Sequence, residues 1–151
     1  MHRFELRVRY GDTDQMGWVY YGNYLRWFEI GRAEMLRSLG HTYRDVEVKE
    51  GILMPVLEAR CRYFHGARYD ELVAIETGVF GVTRATMRFG YRVLGEDGTL
   101  CAVGYTEHCF TSPEAKLVRP PASLVQLLDR APVVDDALRA RIAALGSPAT
   151  T

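Results

Sequence analysis

The chain lacks an excess of either charge. Nineteen Lys plus Arg balance nineteen Asp plus Glu, so nothing in the composition favours nucleic acid or an anionic surface as a partner. It has only three cysteines, Cys61, Cys101 and Cys109, with no C-x-x-C spacing. That excludes a zinc ribbon and a disulfide framework, and points to reduced thiols in a cytoplasmic protein. The four histidines, His2, His41, His65 and His108, form no H-x-x-x-H or H-E-x-x-H, so metal-dependent hydrolysis is disfavoured and no metal site is assigned. No apolar run reaches membrane-spanning length, and the opening MHRFELRVRY has no apolar signal core, which argues against membrane insertion and export. G-x-S-x-G, Walker A and G-x-G-x-x-G motifs are absent too, setting aside serine hydrolases, P-loop NTPases and dinucleotide enzymes.

What the chain does have is a core. It is 48% hydrophobic and 11% aromatic over 151 residues, enough for one domain. Phe4, Leu6, Val8 and Tyr10 alternate with Glu5, Arg7 and Arg9, which predicts a first strand with one solvated face. A turn over Asp12–Gly17 and an extended Trp18-Val19-Tyr20 follow. The period then becomes helical: Tyr21, Leu25, Phe28, Met35 and Leu39 share a stripe with Gly31. Gly22 or Asn23 is the predicted cap, and Gly40 the C′ residue. A glycine on that stripe lets the helix lie close to its neighbour.

From Pro55 on the pattern is strand. Candidates are 55–64, then Val73–Val79 after a turn at 66–70, then Ala85–Val93, where Arg84, Arg88 and Arg92 alternate with apolar residues. A turn at 95–98 leads to Leu100–Thr111. Pro120-Pro121 precedes a short helix at 122–129. The predicted class is α+β, with a long central helix packed on a curved antiparallel sheet of five to six strands. Residues 1–131 form the domain. Residues 132–151 are a tail, a weak helix over 135–145 and then a frayed end from Gly146. One helix covers only part of such a sheet and leaves edges open, so a homodimer is expected.

The chemistry concentrates at Asp12-Thr13-Asp14, just before the helix. Spacing alone leaves two readings of Asp14 open. It is a hydrogen-bonded turn residue, or it is a carboxylate placed beside helix amides that stabilise an oxyanion. Gly17 lets the backbone bend close to a ligand. Tyr10, Tyr20, Tyr21 and Tyr24 line an acyl pocket or belong to the core. The arginine row suits phosphates or is a solvated face, with Arg84 at the strand end the better ligand. Asp12 reads as structural.

The stretch from Tyr10 to Tyr24, YGDTDQMGWVYYGNY, resembles the signature of hotdog-fold acyl-CoA thioesterases, in their 4-hydroxybenzoyl-CoA and Tol-Pal-associated branches. The likeness extends through Arg26-Trp27-Phe28-Glu29 and Arg32 to Gly104-Tyr105-Thr106 and Arg119-Pro120-Pro121. It implies an enzyme that hydrolyses an aromatic or short-chain acyl-CoA to a carboxylic acid and CoA. Asp14 is then the nucleophile or general base, and the Tyr21 backbone amide polarises the carbonyl, with Tyr10 nearby. Gly17, Tyr24, Glu29 and Arg84 are the expected substrate contacts. It also implies a homodimer or dimer of dimers with shared sites, and no cofactor beyond the CoA of the substrate. The Tol-Pal branch usually has His where this chain has Tyr21, so a histidine-assisted mechanism does not transfer. The alternatives are a hotdog hydratase or dehydratase and a non-catalytic acyl-CoA or acyl-carrier binding module.

Overall fold

Alternation in the N-terminal segment builds an edge strand. In the computed structural model, which describes residues 1–146, β1 spans His2–Arg7, with Phe4 and Leu6 turned inward and Arg3, Glu5 and Arg7 outward. A 3-10 turn at Tyr10–Asp12 ends it, so Tyr10 leaves the strand pattern and stands exposed. The first long helix, α1, covers Asn23–Ser38, about 24 Å at roughly 1.5 Å per residue. Gly40 takes φ +82°, donating to Arg37 O while His41 N–H reaches Leu36 O. This is the Schellman closure that a C′ glycine permits.

The buried stripe of α1 keeps the predicted Phe28, Gly31 and Met35, with Leu39 packed against the core, and departs from the prediction in its first turn. Tyr24, Trp27, Phe28, Gly31 and Met35 face the core, while Tyr21 and Leu25 are exposed. The reason is local: Tyr21 and Gly22 still belong to the turn, and the helical phase begins only at Asn23. Asn23 is therefore inside the helix and Gly22 is the N-cap. A helix unread in the sequence, α2 at Tyr43–Glu50, follows. Its Thr42–Asp45 capping box and left-handed Gly51 define both ends.

The remaining strands are β2 (Val56–Tyr63), β3 (Leu72–Val82), β4 (Thr86–Leu94) and β5 (Leu100–Cys109). All pair antiparallel in the order β1-β3-β4-β5-β2, so β1 and β2 are the edges. The architecture is α+β, with helices on a five-stranded antiparallel sheet. Phe28, stacked on Tyr91 at 4.4 Å and 6°, joins α1 to the middle of the sheet. A Cβ at Gly31 would lie 2.5 Å from Thr77 Oγ1 and 2.6 Å from Ile75 Cγ2, so glycine sets how close α1 lies to β3.

After α3 (Ala122–Asp129), the chain crosses the other sheet face. Val79 N–H donates to Pro132 O and Val134 N–H to Val79 O. Helix α4 (Asp136–Ala143) then buries Leu138 and Ile142 against Val103 and above Gly90. Of the frayed end expected from Gly146, residues 147–151 lie outside the described residues.

Candidate active site

Backbone hydrogen bonds tie the Asp12–Asp14 loop to the start of α1. Asp12 O accepts from Tyr20 N–H and from Asn23 Nδ2, each at 2.8 Å. The Asp12 carboxylate is spent on Arg9 N–H at 2.8 Å, in keeping with a structural role. Asp14 N–H donates to Trp18 O at 2.8 Å and Gly17 N–H to Asp14 O at 3.0 Å. Gly17 has φ +80°, which an L side chain resists; the nearest atom to a Cβ there is Arg68 Nη1 at 3.9 Å, so conformation rather than space demands the glycine.

Asp14 is half-buried. Its Oδ1 accepts from Met16 N–H at 2.8 Å, which fixes the carboxylate plane, and Oδ2 bonds to nothing among the described residues. A few residues on, the N–H groups of Tyr21 and Gly22 find no acceptor among the described residues either. A fixed carboxylate with one free oxygen thus sits in the loop that runs into a helix start whose amides are open. Helix N-termini favour developing negative charge. Tyr63 Oη donates to Tyr21 O at 3.1 Å, pinning the peptide that ends at this turn to β2. Burial pushes the neighbouring Cys61 thiol up to about 11, so it stays protonated near neutrality and does not compete as nucleophile.

The other expected contacts disperse. Tyr10 is paired edge-on with Tyr69 in a groove of about 690 Å³ on the β1 side, which Asp12, Asn23 and Trp27 line and Asp14 does not. Tyr24 is buried, packs on Trp27 and Tyr63, and accepts Ala67 N–H at 3.2 Å; it supports the loop from below. Glu29 is exposed about two turns along α1, in a cleft between α1 and α2. Arg84 is exposed at the β3–β4 turn, sharing a groove of about 580 Å³ with Arg119. Asp14's loop is tied by Val19 N–H to Ala67, ahead of β3, so Arg84 and Asp14 stand at opposite ends of a strand of roughly 36 Å. Arg88 and Arg92 are neutralised, by Glu107 and by Glu76 with Asp135, and form a salt-bridged outer face.

Two features escaped the sequence. Arg68 stacks 3.7 Å over the Trp18 ring beside Gly17, a cation–π contact no spacing rule foretells. Under α1, Arg32 Nη1 meets His108 Nε2 (3.1 Å), Tyr91 Oη (3.3 Å) and Thr106 Oγ1 (3.4 Å). His108 Nδ1–H donates to Met54 O at 3.0 Å, which leaves Nε2 as acceptor. Burial first, and the Arg32 charge second, lower His108 to about 4. A histidine depressed from 6.5 is neutral in the fold while the unfolded chain takes up a proton. Stability present above pH 6.5 is therefore lost as pH falls towards 4, by on the order of 3 kcal/mol. His108→Gln should flatten that part of the pH dependence of the urea midpoint; an unchanged slope would assign it to carboxylates.

Among the described residues no group of three or more His, Cys, Asp or Glu is placed to hold a metal ion, and no helix is long and apolar enough to cross a membrane.

Residues 8–142 match the family model of the thioesterase-like superfamily. The chain is 36% identical over 91 residues to the acyl-CoA thioesterase YbgC of Haemophilus influenzae, covering 60% of this chain and 67% of the relative. It is 25% identical over 130 residues to a 1,4-dihydroxy-2-naphthoyl-CoA hydrolase of Thermosynechococcus vestitus, covering 85% and 89%. The crystal structure of a DHNA-CoA thioesterase from Staphylococcus aureus superposes with a TM-score of 0.79 at 31% identity, over 85% of this chain and 88% of that one. The chain belongs to the thioesterase-like superfamily and is a hotdog-fold acyl-CoA thioesterase.

Proposed function

We propose that this enzyme hydrolyses an aromatic or short-chain acyl-CoA, with Asp14 as nucleophile or general base. The observation that carries the assignment is the free Asp14 Oδ2 in the loop leading to the open amides of Tyr21 and Gly22. The thioester carbonyl sits at the α1 N-terminus, and its oxygen takes the Tyr21 N–H as charge develops. Asp14 then attacks the carbon or takes a proton from the attacking water, and CoA leaves as thiolate, which needs no strong general acid. The relative named for a naphthoyl-CoA supports an aromatic acyl group, as do Trp18, Tyr20 and Tyr21 around the loop. Residues 1–131 carry this chemistry on a sheet curved around α1, and α4, from the 132–151 tail, covers its outer face. The enzyme works in the cytoplasm without a cofactor of its own.

The working unit in this reading is a homodimer paired through β2, or a dimer of two such dimers. The β1 edge bears Arg3, Glu5 and Arg7, whereas β2 exposes Val56, Leu57 and Tyr63. Antiparallel pairing of β2 with its copy sets the Tyr63 end, beside Tyr21, against the copy's Val56 end. The copy's Arg84 then lies on the Asp14 side and meets the CoA phosphates in trans. Mixing Asp14→Asn and Arg84→Ala chains tests this. A heterodimer with one restored site should regain activity at low substrate concentration. No gain over the Arg84→Ala homodimer would put Arg84 outside the shared site.

Free-thiol release across aromatic and aliphatic acyl-CoAs tests the reaction itself. Tight binding without release would favour a binding module. Hydration of an enoyl-CoA without thiol release would favour a hydratase.

A further inference from the structure

Arg32 is more than nine-tenths buried, and no carboxylate pairs with it among the described residues. All its hydrogen bonds leave from Nη1, towards neutral groups. Nε is buried without a partner, and Nη2 bonds to nothing among the described residues. The idle Nε–Nη2 edge is the one that grips a carboxylate in bidentate fashion. The buried hydroxyl of Tyr43, whose ring lies 5.3 Å from the guanidinium, feels the Arg32 charge but closes no well-formed hydrogen bond. The Tyr43–Arg32 contact leaves the charge uncompensated, and an anion meeting the guanidinium at Nη2, the unbonded nitrogen that is not sealed off, would compensate it. Burying a charge without a counter-charge is costly, which makes a supplied one favourable.

Arg32 and Tyr43 line a cleft of about 410 Å³ between α1 and α2, which Met54 also lines and where Arg37 and Arg44 offset Glu29 and Glu47. Met54 lies two residues before β2, so the β2 pairing above faces this cleft towards the Asp14 loop of the other copy. We propose that the cleft receives the far end of the acyl group and that Arg32 selects acyl chains ending in a carboxylate. The substrates of this class are monothioesters of dicarboxylic acids, aliphatic or aromatic. Tyr43, beside the guanidinium, positions it for that carboxylate. The proposal rests on the thioesterase reading and gives its site a specificity. Glu29 at the rim repels a second anion and orients the chain with its carboxylate towards Arg32.

The test compares matched pairs: glutaryl-CoA against pentanoyl-CoA, and 4-carboxybenzoyl-CoA against benzoyl-CoA. Wild type should favour the carboxylated member in kcat/KM by about tenfold or more, because an unpaired buried donor penalises the neutral analogue. In Arg32→Lys the ratio should collapse towards one, and in Tyr43→Phe, which retains the guanidinium, it should fall severalfold. Free glutarate or terephthalate should raise the melting temperature of wild type and not of Arg32→Lys. A wild-type ratio near one, or a ratio unmoved by either substitution, overturns the proposal. If no ester turns over, the thioesterase reading fails on its own. Dicarboxylate stabilisation lost in Arg32→Lys would then still uphold the anion site, and its absence in wild type would remove that too.

Discussion

Asp14→Asn should lower kcat by about 10²- to 10⁴-fold while KM for the acyl-CoA changes little. The substitution is close to isosteric. Met16 N–H still finds an oxygen at the Oδ1 position, and the bonds from Asp14 N–H to Trp18 and from Gly17 to Asp14 O are main-chain, so the loop survives. What is lost is the free Oδ2, replaced by an amide nitrogen that neither attacks a carbonyl nor accepts a proton. Steady-state thiol release with both proteins decides the matter, and near-wild-type turnover would remove Asp14 from the chemistry. The surviving question is nucleophile against base, and label found in Asp14 after turnover in ¹⁸O water would establish the nucleophile. Attack by the carboxylate makes a mixed anhydride, and hydrolysis at the Asp14 carbonyl leaves label in the protein. A general-base route labels only the released acid.

Much of this was legible in the chain because local physics decides it. The D-x-D loop, the glycine with positive φ and the strand alternations from Val73 to Val93 are short-range signals, and each lies where the pattern put it. The phase of α1 was not so clear. The cap falls at Gly22, one of the two positions expected. Tyr21 and Leu25, which fit a helical period, are nonetheless exposed, because the turn through Gly22 is held by bonds from Asn23 to Tyr20 and Asp12. Helix α2 carried a readable Thr42–Asp45 box, yet Val46 is its one buried residue, so hydrophobic periodicity gave no sign of it. Arg84 sits at a strand end as expected. Its separation from Asp14 is a property of sheet order, since β3 runs away from the loop and no spacing in the chain encodes that direction. Arg32 reads in sequence as one more helix charge, because its partners come from β4 and β5, 59 to 76 residues away.

Phe28→Ala should be the most damaging core substitution, because Phe28 is what seats α1. Its ring is fully buried and stacks on Tyr91, whose hydroxyl bonds Thr106 and Arg32. Truncation should cost roughly 3–5 kcal/mol, a large part of the 5–15 kcal/mol that usually holds a domain together. The melting temperature should fall by about 10 °C or more, read by circular dichroism. The loss should also reach the proposed site, since a loosened α1 no longer fixes the open amides of Tyr21 and Gly22 at its start. Gly104 tests the same contact from below. A Cβ there would lie 2.5 Å from the Phe28 ring and 2.3 Å from the Arg60 carbonyl of β2. Gly104→Ala should therefore destabilise, and Phe28→Ala should relieve only the ring clash, because the clash with the strand backbone remains. A double variant as stable as Phe28→Ala alone would mean that β2 yields freely at Arg60, and that the sheet is less firmly closed at this edge than its pairing with β5 indicates.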